Sequence, residues 1–298
     1  MLSILIPTYN YNIEALVHEL HAQSTACGID FEIRIGDDFS STKVMSNSFL
    51  STIKFTYLHR SEQSLGRTAM RDLLSTKASY SWLLFVDADM LPRDKNYVEN
   101  YLNQVSKNTS ESAYFGGYSY PDNYAFKDRL RYRYGVKREH KLASQRSKNP
   151  YRNIYSGNML ISLWAFKQTN TTLDNLYGLD LALSRKLETQ NIVVKHLDNY
   201  TDHYGIEDNS TFLLKCKSAT KTLRQLYDSG LITANQSKLI KNYELLNKLK
   251  LVRIVRLKGW VLNPILFWLL TNTKVSFIIL DFYKMYHFSS HLKKSKCL

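Results

Sequence analysis

Residues 83–92 read LLFVDADMLP. The apolar run from Leu83 to Val86 stops at Asp87-Ala88-Asp89, and a short apolar run bounded by turn chemistry predicts a buried strand. Carboxylates at the end of a buried strand need a partner, because an unpaired buried charge is costly. In an open α/β sheet the carboxyl ends of the strands form the ligand crevice. Asp87 and Asp89 are two residues apart and would share a strand face. Two hard oxygen donors on one face suit Mg²⁺ or Mn²⁺ carrying a diphosphate. By itself Asp-x-Asp is more often an Asp-rich turn, so the neighbouring segments decide.

On the N-terminal side, Leu2 to Ile6 predict a first strand stopped by Pro7. Ile13, Leu16, Val17 and Leu20 fall at helical spacing. Residues 31–36 alternate as a second strand ending at Asp37-Asp38. Ile53 to Leu58 predict a third strand, residues 66–78 a helix, and Trp82 to Val86 the fourth strand. Strand and helix alternating through residues 2–86 predict a parallel, doubly wound sheet. Pro7-Thr8-Tyr9-Asn10 and Asp37-Asp38 then fall at adjacent strand ends. A carboxylate there accepts a hydrogen bond from a base or ribose hydroxyl. Asp38 can equally cap the following helix, and the residues do not choose. Arg67 and Arg71, four apart, share a helix face. They are either a solvated basic face or a guanidinium clamp for phosphates.

The chain has 298 residues, 44% of them hydrophobic, enough to fill a core. Lys and Arg number 40 against 26 Asp and Glu, a formal charge of +14. That excess suits a polyanion: nucleic acid, anionic lipid or nucleotide phosphates. Residues 126–146, FKDRLRYRYGVKREHKLASQR, interleave bases and aromatics as nucleic-acid binders do. The acidic crevice argues against nucleic acid, and a basic surface helix is the plainer reading. Three dispersed cysteines give neither metal spacing nor a disulfide framework, which fits a reducing compartment. Met1 leads straight into a strand, so no leader peptide and a cytoplasmic protein are expected.

Beyond the Asp-x-Asp, YFGGYSY (114–120) predicts a strand with a glycine break. YSGNMLIS (155–162) predicts another, with Gly157 permitting close approach of backbone to a ligand. Asp180 stands at the start of an amphipathic helix in LYGLDLALSRKL (176–187), a position the helix dipole favours for an acid. Residues 192–194 form a strand, with His203 in a loop after it and Glu207-Asp208-Asn209 capping the next helix. From Asn209 the pattern is helical: a stripe closed by Gly230, then a helix over 233–250. Residues 251–288 are apolar and aromatic with interspersed cations. Pro264 and Thr271-Asn272-Thr273 are expected to break them into pieces too short to span a bilayer. They lie in a membrane interface or form a packed helical layer, and both readings stand. In the first, Arg253, Arg256, Lys258, Lys293, Lys294 and Lys296 would face anionic lipid.

SILIPTYN, IRIGDDFSS, LGRTAMRDLL and WLLFVDADMLP, in this order and at this spacing, resemble the nucleotide half of the family 2 glycosyltransferases of GT-A fold. The likeness runs over roughly residues 1–230. It implies an α/β fold: a Rossmann-like central mixed sheet flanked by helices, with a C-terminal helical appendage. Residues 1–215 would be the catalytic domain, 1–110 its nucleotide half and 111–215 its acceptor half, with 216–298 the helical region. The resemblance implies an inverting enzyme using a nucleotide-diphosphate sugar, a UDP-sugar. Pro7, Thr8, Tyr9, Asn10, Asp38, Arg67, Arg71, Asp87, Ala88 and Asp89 would contact the donor. Asp87, Asp89 and His203 would hold Mn²⁺ or Mg²⁺. Gly157 and Asn158 would face a saccharide or lipid-linked saccharide acceptor of bacterial surface polysaccharide synthesis, and Asp180 would be the general base. The family places a Glu-Asp pair there, whereas here Leu179 holds the Glu position. That departure favours a rival reading, a non-catalytic scaffold or membrane-associated partner of the same fold. A nucleotidyltransferase would need a glycine-rich phosphate loop after the first strand, where this chain has PTYNYN.

Overall fold

The computed structural model describes residues 1–105, 112–122, 124–169, 180–274 and 276–291. Leu179, Lys293, Lys294 and Lys296 lie outside the described residues. The strands are β1 Leu2–Thr8, β2 Phe31–Asp37, β3 Thr56–Arg60, β4 Trp82–Val86, β5 Met90–Pro92, β6 Ser112–Phe115, β7 Tyr118–Ser119, β8 Asn158–Ser162, β9 Val193–His196 and β10 Thr201–His203. The helices are α1 Glu14–Ala26, α2 Asn47–Thr52, α3 Arg67–Lys77, α4 Tyr97–Val105, α5 Leu130–Tyr134, α6 Ala143–Arg146, α7 Leu163–Thr169, α8 Asp180–Thr189, α9 Asn209–Asp228, α10 Lys238–Lys248, α11 Val252–Asn272 and α12 Phe277–Ser290. Two compact units form: Met1–Pro121, Arg138–Asn175 and Lys186–Gly205 make the first, and Asp122–Lys137, Leu176–Arg185 and Ile206–Leu298 the second.

The first unit holds a seven-stranded sheet ordered β3-β2-β1-β4-β8-β6-β9 and a three-stranded sheet ordered β5-β10-β7. β3, β2, β1 and β4 are parallel, as the alternation predicts. β8 runs antiparallel to both β4 and β6, which makes the sheet mixed. β1 and most of β4 are buried, so both read as continuous apolar runs. The chain steps from β1 to β2 and β3 on one side, then returns to β4 on the other. The crevice at the carboxyl ends of β1 and β4 is therefore a topological switch point.

Several expected boundaries move. Pro7 does not stop β1, which pairs with β2 as far as Thr8 opposite Asp37. Pairing with β4 ends at Leu5, so Pro7 has one strand neighbour and its missing N–H breaks no second ladder. The strand expected at Ile53 begins at Thr56 instead. Ser46, held by the Glu14 carboxylate, caps α2 and draws residues 47–52 into a helix. YFGGYSY divides between the two sheets at Gly117, whose φ of 84° turns the chain between β6 and β7. His203 is not in a loop: it ends β10, opposite Met90 of β5. The basic stretch 126–146 is not one surface helix but α5, a π turn at Gly135–Glu139, and α6.

Arg146, in that stretch, is completely buried. It donates to the carbonyls of Phe115 (2.8 Å), Gly116 (3.1 Å), Leu197 (2.5 Å) and Lys141 (3.1 Å). Its Nη1 also lies 2.9 Å from His196 Nδ1. A guanidinium only donates, so Nδ1 must be the unprotonated nitrogen. Nε2 then carries the proton and donates to the Pro150 carbonyl at 2.8 Å. Burial pushes the His196 pKa down to about 4; the Pro150 hydrogen bond opposes this and the Arg146 charge adds to it. The folded chain thus refuses a proton that the unfolded chain takes up near pH 6.5. The neutral imidazole contributes stability that is fully present above about pH 6.5 and is lost as pH falls toward 4. His196→Gln keeps an acceptor for Arg146 and removes the titration. Urea unfolding at pH 7 and pH 5 should show wild type losing about 2 kcal/mol more than this variant over that interval. Equal losses would show that His196 is not the titrating group.

In the second unit α9, α11 and α12 share an apolar cluster of Leu130, Phe212, Leu213, Cys216, Leu266, Leu270, Phe277, Leu280 and Tyr283. Asp208 caps α9 through Thr211 N (2.9 Å), and Gly230, with φ 74°, follows its end. Asn209 ties the cluster's edges, accepting from Leu130 N at 2.7 Å and donating to Thr271 O at 2.9 Å. α11 corrects the expectation of short broken pieces. It runs through Pro264 as one helix of 21 residues that contains an 18-residue window of mean hydropathy 1.3, long and apolar enough to cross a bilayer.

Candidate active site

The first unit brings most of the expected residues to the crevice, in roles the sequence does not disclose. Pro7 is buried in β1 opposite Gly36. Thr8 Oγ1 donates to Tyr11 O. Asn10, at φ 50°, staples the loop after β1 to the loop after β2. Its Oδ1 accepts from Ser41 N (2.8 Å) and Thr42 N (3.3 Å), and its N–H donates to Ser40 Oγ (2.8 Å). On these stapled loops Tyr9 and Phe39 stand 59% and 53% exposed. Phe39 sits at φ 61°, a strained conformation for a bulky side chain, and such strain collects at functional sites.

Asp38 does not cap the helix that follows it, which Ser46 caps instead. Its carboxylate accepts from Leu65 N (2.6 Å), Gly66 N (2.9 Å) and Ser64 Oγ (3.2 Å). It thereby fixes the turn that starts α3 and aims Arg67 and Arg71. Arg67 Nη1 lies 3.0 Å from Asp87 Oδ2, and Arg71 Nη2 lies 2.6 Å from Asp87 Oδ1. Arg71 Nη1 also donates to Ser156 Oγ at 2.6 Å. Arg71 and Asp87 are both buried, while Arg67 keeps an exposed side.

Asp87 and Asp89 do not share a strand face, because β4 ends at Val86 and a turn follows, closed by Met90 N to Asp87 O at 3.1 Å. Ala88 lies inside that turn. It directs the two acids to different partners. Asp87 takes the arginines, and Asp89 Oδ2 lies 3.2 Å from His203 Nε2. The pairing of β10 with β5 sets His203 opposite Met90 and so beside Asp89. Burial pushes the Asp89 carboxyl up, but the His203 charge and hydrogen bond, with Arg67, outweigh this and hold it below its ordinary value. His203 is buried, its ring stacked on Tyr118 at 6.2 Å with Tyr120 edge-on at 5.7 Å, and its Nδ1 has no hydrogen-bond partner among the described residues. Among the described residues no three His, Cys, Asp or Glu side chains gather, so the expected three-ligand set is not assembled. Asp87 is the missing member, both its oxygens being held by guanidinium groups. Asp89 and His203 remain as adjacent oxygen and nitrogen donors.

Two glycines make room for these carboxylates. β8 runs antiparallel to β4 with Asn158 opposite Val86, which puts Gly157 against Asp87. Asp87 N donates to Gly157 O at 3.1 Å, and Gly157 N donates to the Tyr118 hydroxyl at 3.0 Å. A methyl on Gly157 would overlap Asp87 Oδ2, and one on Gly205 would overlap Asp89 Oδ2. The close approach expected at Gly157 is made to the site's own carboxylate. Asn158 is engaged within the fold. It is fully buried; its Oδ1 accepts from Tyr97 (2.7 Å) and Tyr101 (2.6 Å), and its Nδ2 donates to Gly117 O (2.8 Å) and Asn199 O (2.9 Å). Asp180 belongs to the second unit, where it is the first residue of α8 and partly exposed. Ser156, Tyr118 and Gly205 are site residues that sequence reasoning missed. Gly205 was visible two residues after His203, but its contact with Asp89 depends on three-residue strands too short to announce themselves.

Comparison of the sequence with curated proteins finds no match. Solved structures do match. The mannosyltransferase PcManGT from Pyrobaculum calidifontis, solved with GDP-Man and Mn²⁺, is 12% identical with a TM-score of 0.53; the match covers 77% of this chain and 64% of that one. Glucosyl-3-phosphoglycerate synthase from Mycobacterium tuberculosis, solved with Mn²⁺, UDP-Glc and phosphoglyceric acid, is 12% identical with a TM-score of 0.53, over 78% of this chain and 81% of that one. TarS 1–349 from S. aureus is 14% identical with a TM-score of 0.49, over 74% and 64%. This chain thus spans about 64% of the length of two of these structures. At such identities the likeness speaks for the fold, a GT-A-type mixed sheet with helices around it. The sequence profile described as Glycosyl transferase family 2 matches residues 3–168, more than half of the chain and all of the crevice strands from β1 to β8, and the chain belongs to that family.

Proposed function

We propose that this chain is an inverting glycosyltransferase that moves a sugar from a nucleoside-diphosphate sugar, a UDP-sugar, to a hydroxyl of a saccharide or lipid-linked saccharide in bacterial surface polysaccharide synthesis. The observation that carries this reading is the divided acidic pair at the switch point: Asp87 locked by Arg67 and Arg71, Asp89 set beside His203. Asp89 and His203 suit Mn²⁺ or Mg²⁺, which bind through few protein donors when phosphate oxygens and water complete the shell. A cation held there would offset negative charge on the departing diphosphate. Arg67, with its exposed side, adds positive charge at the same place. Tyr9 and Phe39 offer faces for the base. Asp180 would take the proton from the acceptor hydroxyl as it attacks the anomeric carbon. α11, which presents an apolar face on the second unit, would rest on the cytoplasmic side of an anionic membrane. It lies on the surface rather than spanning, because Leu266 and Leu270 on its other face belong to the cluster with α9 and α12. A scaffold that binds donor without turnover is the second reading, favoured by Leu179.

Calorimetry with UDP, GDP and their sugars, with and without Mn²⁺, tests the donor site. One nucleotide should bind selectively and only with the cation. At 100 times its Kd it should stabilise the fold by about 2.7 kcal/mol. Absence of binding by every nucleotide would overturn the reading. Binding without transfer to any hydroxyl acceptor would select the scaffold.

A further inference from the structure

We propose that the cavity between α11 and α12 binds the phosphate headgroup of an anionic membrane lipid. This inference rests on the reading that α11 lies on a membrane surface. The cavity measures about 450 Å³ and is lined by Arg253, Arg256, Leu257, Trp260, Tyr286 and Ser290. That size falls within the range of small-molecule sites. Arg253 and Arg256 are three apart on the first turns of α11 and therefore project from neighbouring positions. Neither guanidinium makes an ion pair or hydrogen bond with another described residue. Between Glu244 and Asp281 the sequence has no acid, while Lys248, Lys250, Arg253, Arg256, Lys258 and Lys274 all fall there. Of these cations Lys274 is paired, with Asp128 at 2.7 Å. The two arginines therefore line an opening with no carboxylate to neutralise them, at a helix start whose dipole favours an anion. Guanidinium suits a phosphate, which it can hold through two parallel hydrogen bonds.

The wall of the cavity is specifically built. Gly259 sits inside α11, where glycine is unfavourable relative to alanine. A methyl there would overlap the Tyr286 ring, so the glycine lets Tyr286 lie flush against α11. The occupant is read as a lipid because the cavity shares Leu257 and Trp260 with an apolar stripe. Ile254, Leu257, Val261, Ile265 and Trp268 follow helical spacing and are all exposed, with Trp260 beside them at 69%. A soluble phosphate would have no use for that stripe. A lipid would place its phosphate at the arginines and its chains along the stripe, with Trp260 and Trp268 at headgroup depth.

Flotation of the full chain with vesicles tests this. Three compositions are compared: phosphatidylcholine alone, phosphatidylcholine with phosphatidylglycerol, and phosphatidylcholine with oleate at matched charge. Wild type should prefer phosphatidylglycerol to oleate. R253Q/R256Q should lose that preference and about tenfold more affinity for phosphatidylglycerol vesicles than K248Q/K250Q, which removes the same charge outside the cavity. Equal losses in the two variants, with no phosphate preference in wild type, would overturn the cavity site and leave α11 as a membrane face. Failure of wild type to bind any vesicle would overturn both. Calorimetry with glycerol 1-phosphate separates the sources: binding as tight as that to vesicles would reassign the cavity to a soluble phosphate and overturn the lipid. The wild-type preference between phosphatidylglycerol and oleate decides the matter even if the double variant fails to fold.

Discussion

Asp180→Asn leaves donor affinity near normal and lowers sugar transfer by about 10²- to 10⁴-fold, the usual worth of a general base. The asparagine keeps the shape of the side chain and its capacity to accept a hydrogen bond at the start of α8, but it cannot take a proton. A base acts as the acceptor hydroxyl attacks and contributes little to the ground-state complex, so its loss falls on turnover rather than on binding. Asp180 is the first residue of the ten-residue helix α8, an end of the helix where acids are favoured. Its role as base is the proposal made above, and Leu179 stands where the resemblance would place an acid. The assay pairs calorimetric donor affinity with single-turnover transfer to the true acceptor. Transfer within a few fold of wild type would remove Asp180 from the mechanism. Lost donor binding together with a lowered melting temperature would make it a cap on α8.

The courses of β1 and β4 were legible because each is a short apolar run ending beside Pro or Asp, and buried parallel strands need little else. The Asp-x-Asp was legible for the same reason, being polar where the run stops. The partners of those acids were not. Asp38 could be assigned a nucleotide contact or a cap from its neighbours, yet it holds residues 64–66 from a different loop. His203 could be quoted but not placed, since three-residue strands carry too little pattern to fix a register. Arg146 looked like part of a solvated basic stretch, whereas five acceptors converge on it in the core. In each case the deciding partners lie far away in sequence, and composition is blind to that. Pro264 misled in the opposite direction. A proline removes one helical hydrogen bond, but α11 continues through it, and Leu266 and Leu270 just beyond the proline pack into the cluster with α9 and α12.

The divided acidic pair predicts that two alanine substitutions two residues apart fail in different ways. Asp89→Ala should leave the fold intact. The side chain is partly exposed, and its removal strands no buried guanidinium. Its effect falls on the ligand. Losing an outer partner of a metal donor typically lowers affinity about 10- to 100-fold, so losing a donor itself should lower Mn²⁺-dependent nucleotide binding by at least about 100-fold. Asp87→Ala should do the reverse. It strands the buried Arg71 guanidinium, left with Ser156. Breaking a buried pair from one side costs about 3 kcal/mol or more, because the remaining charge stays desolvated. The Asp87→Ala chain should therefore unfold at clearly lower urea while any residual folded protein still binds Mn²⁺ through Asp89 and His203. Asp87→Asn, which keeps acceptors for the arginines, should recover part of the loss. The measurements are urea unfolding and Mn²⁺-dependent nucleotide calorimetry on all three variants. If Asp87→Ala is as stable as wild type and instead abolishes cation-dependent binding, then Asp87 leaves its arginines for the cation when donor arrives, and the division of labour between the two acids is wrong.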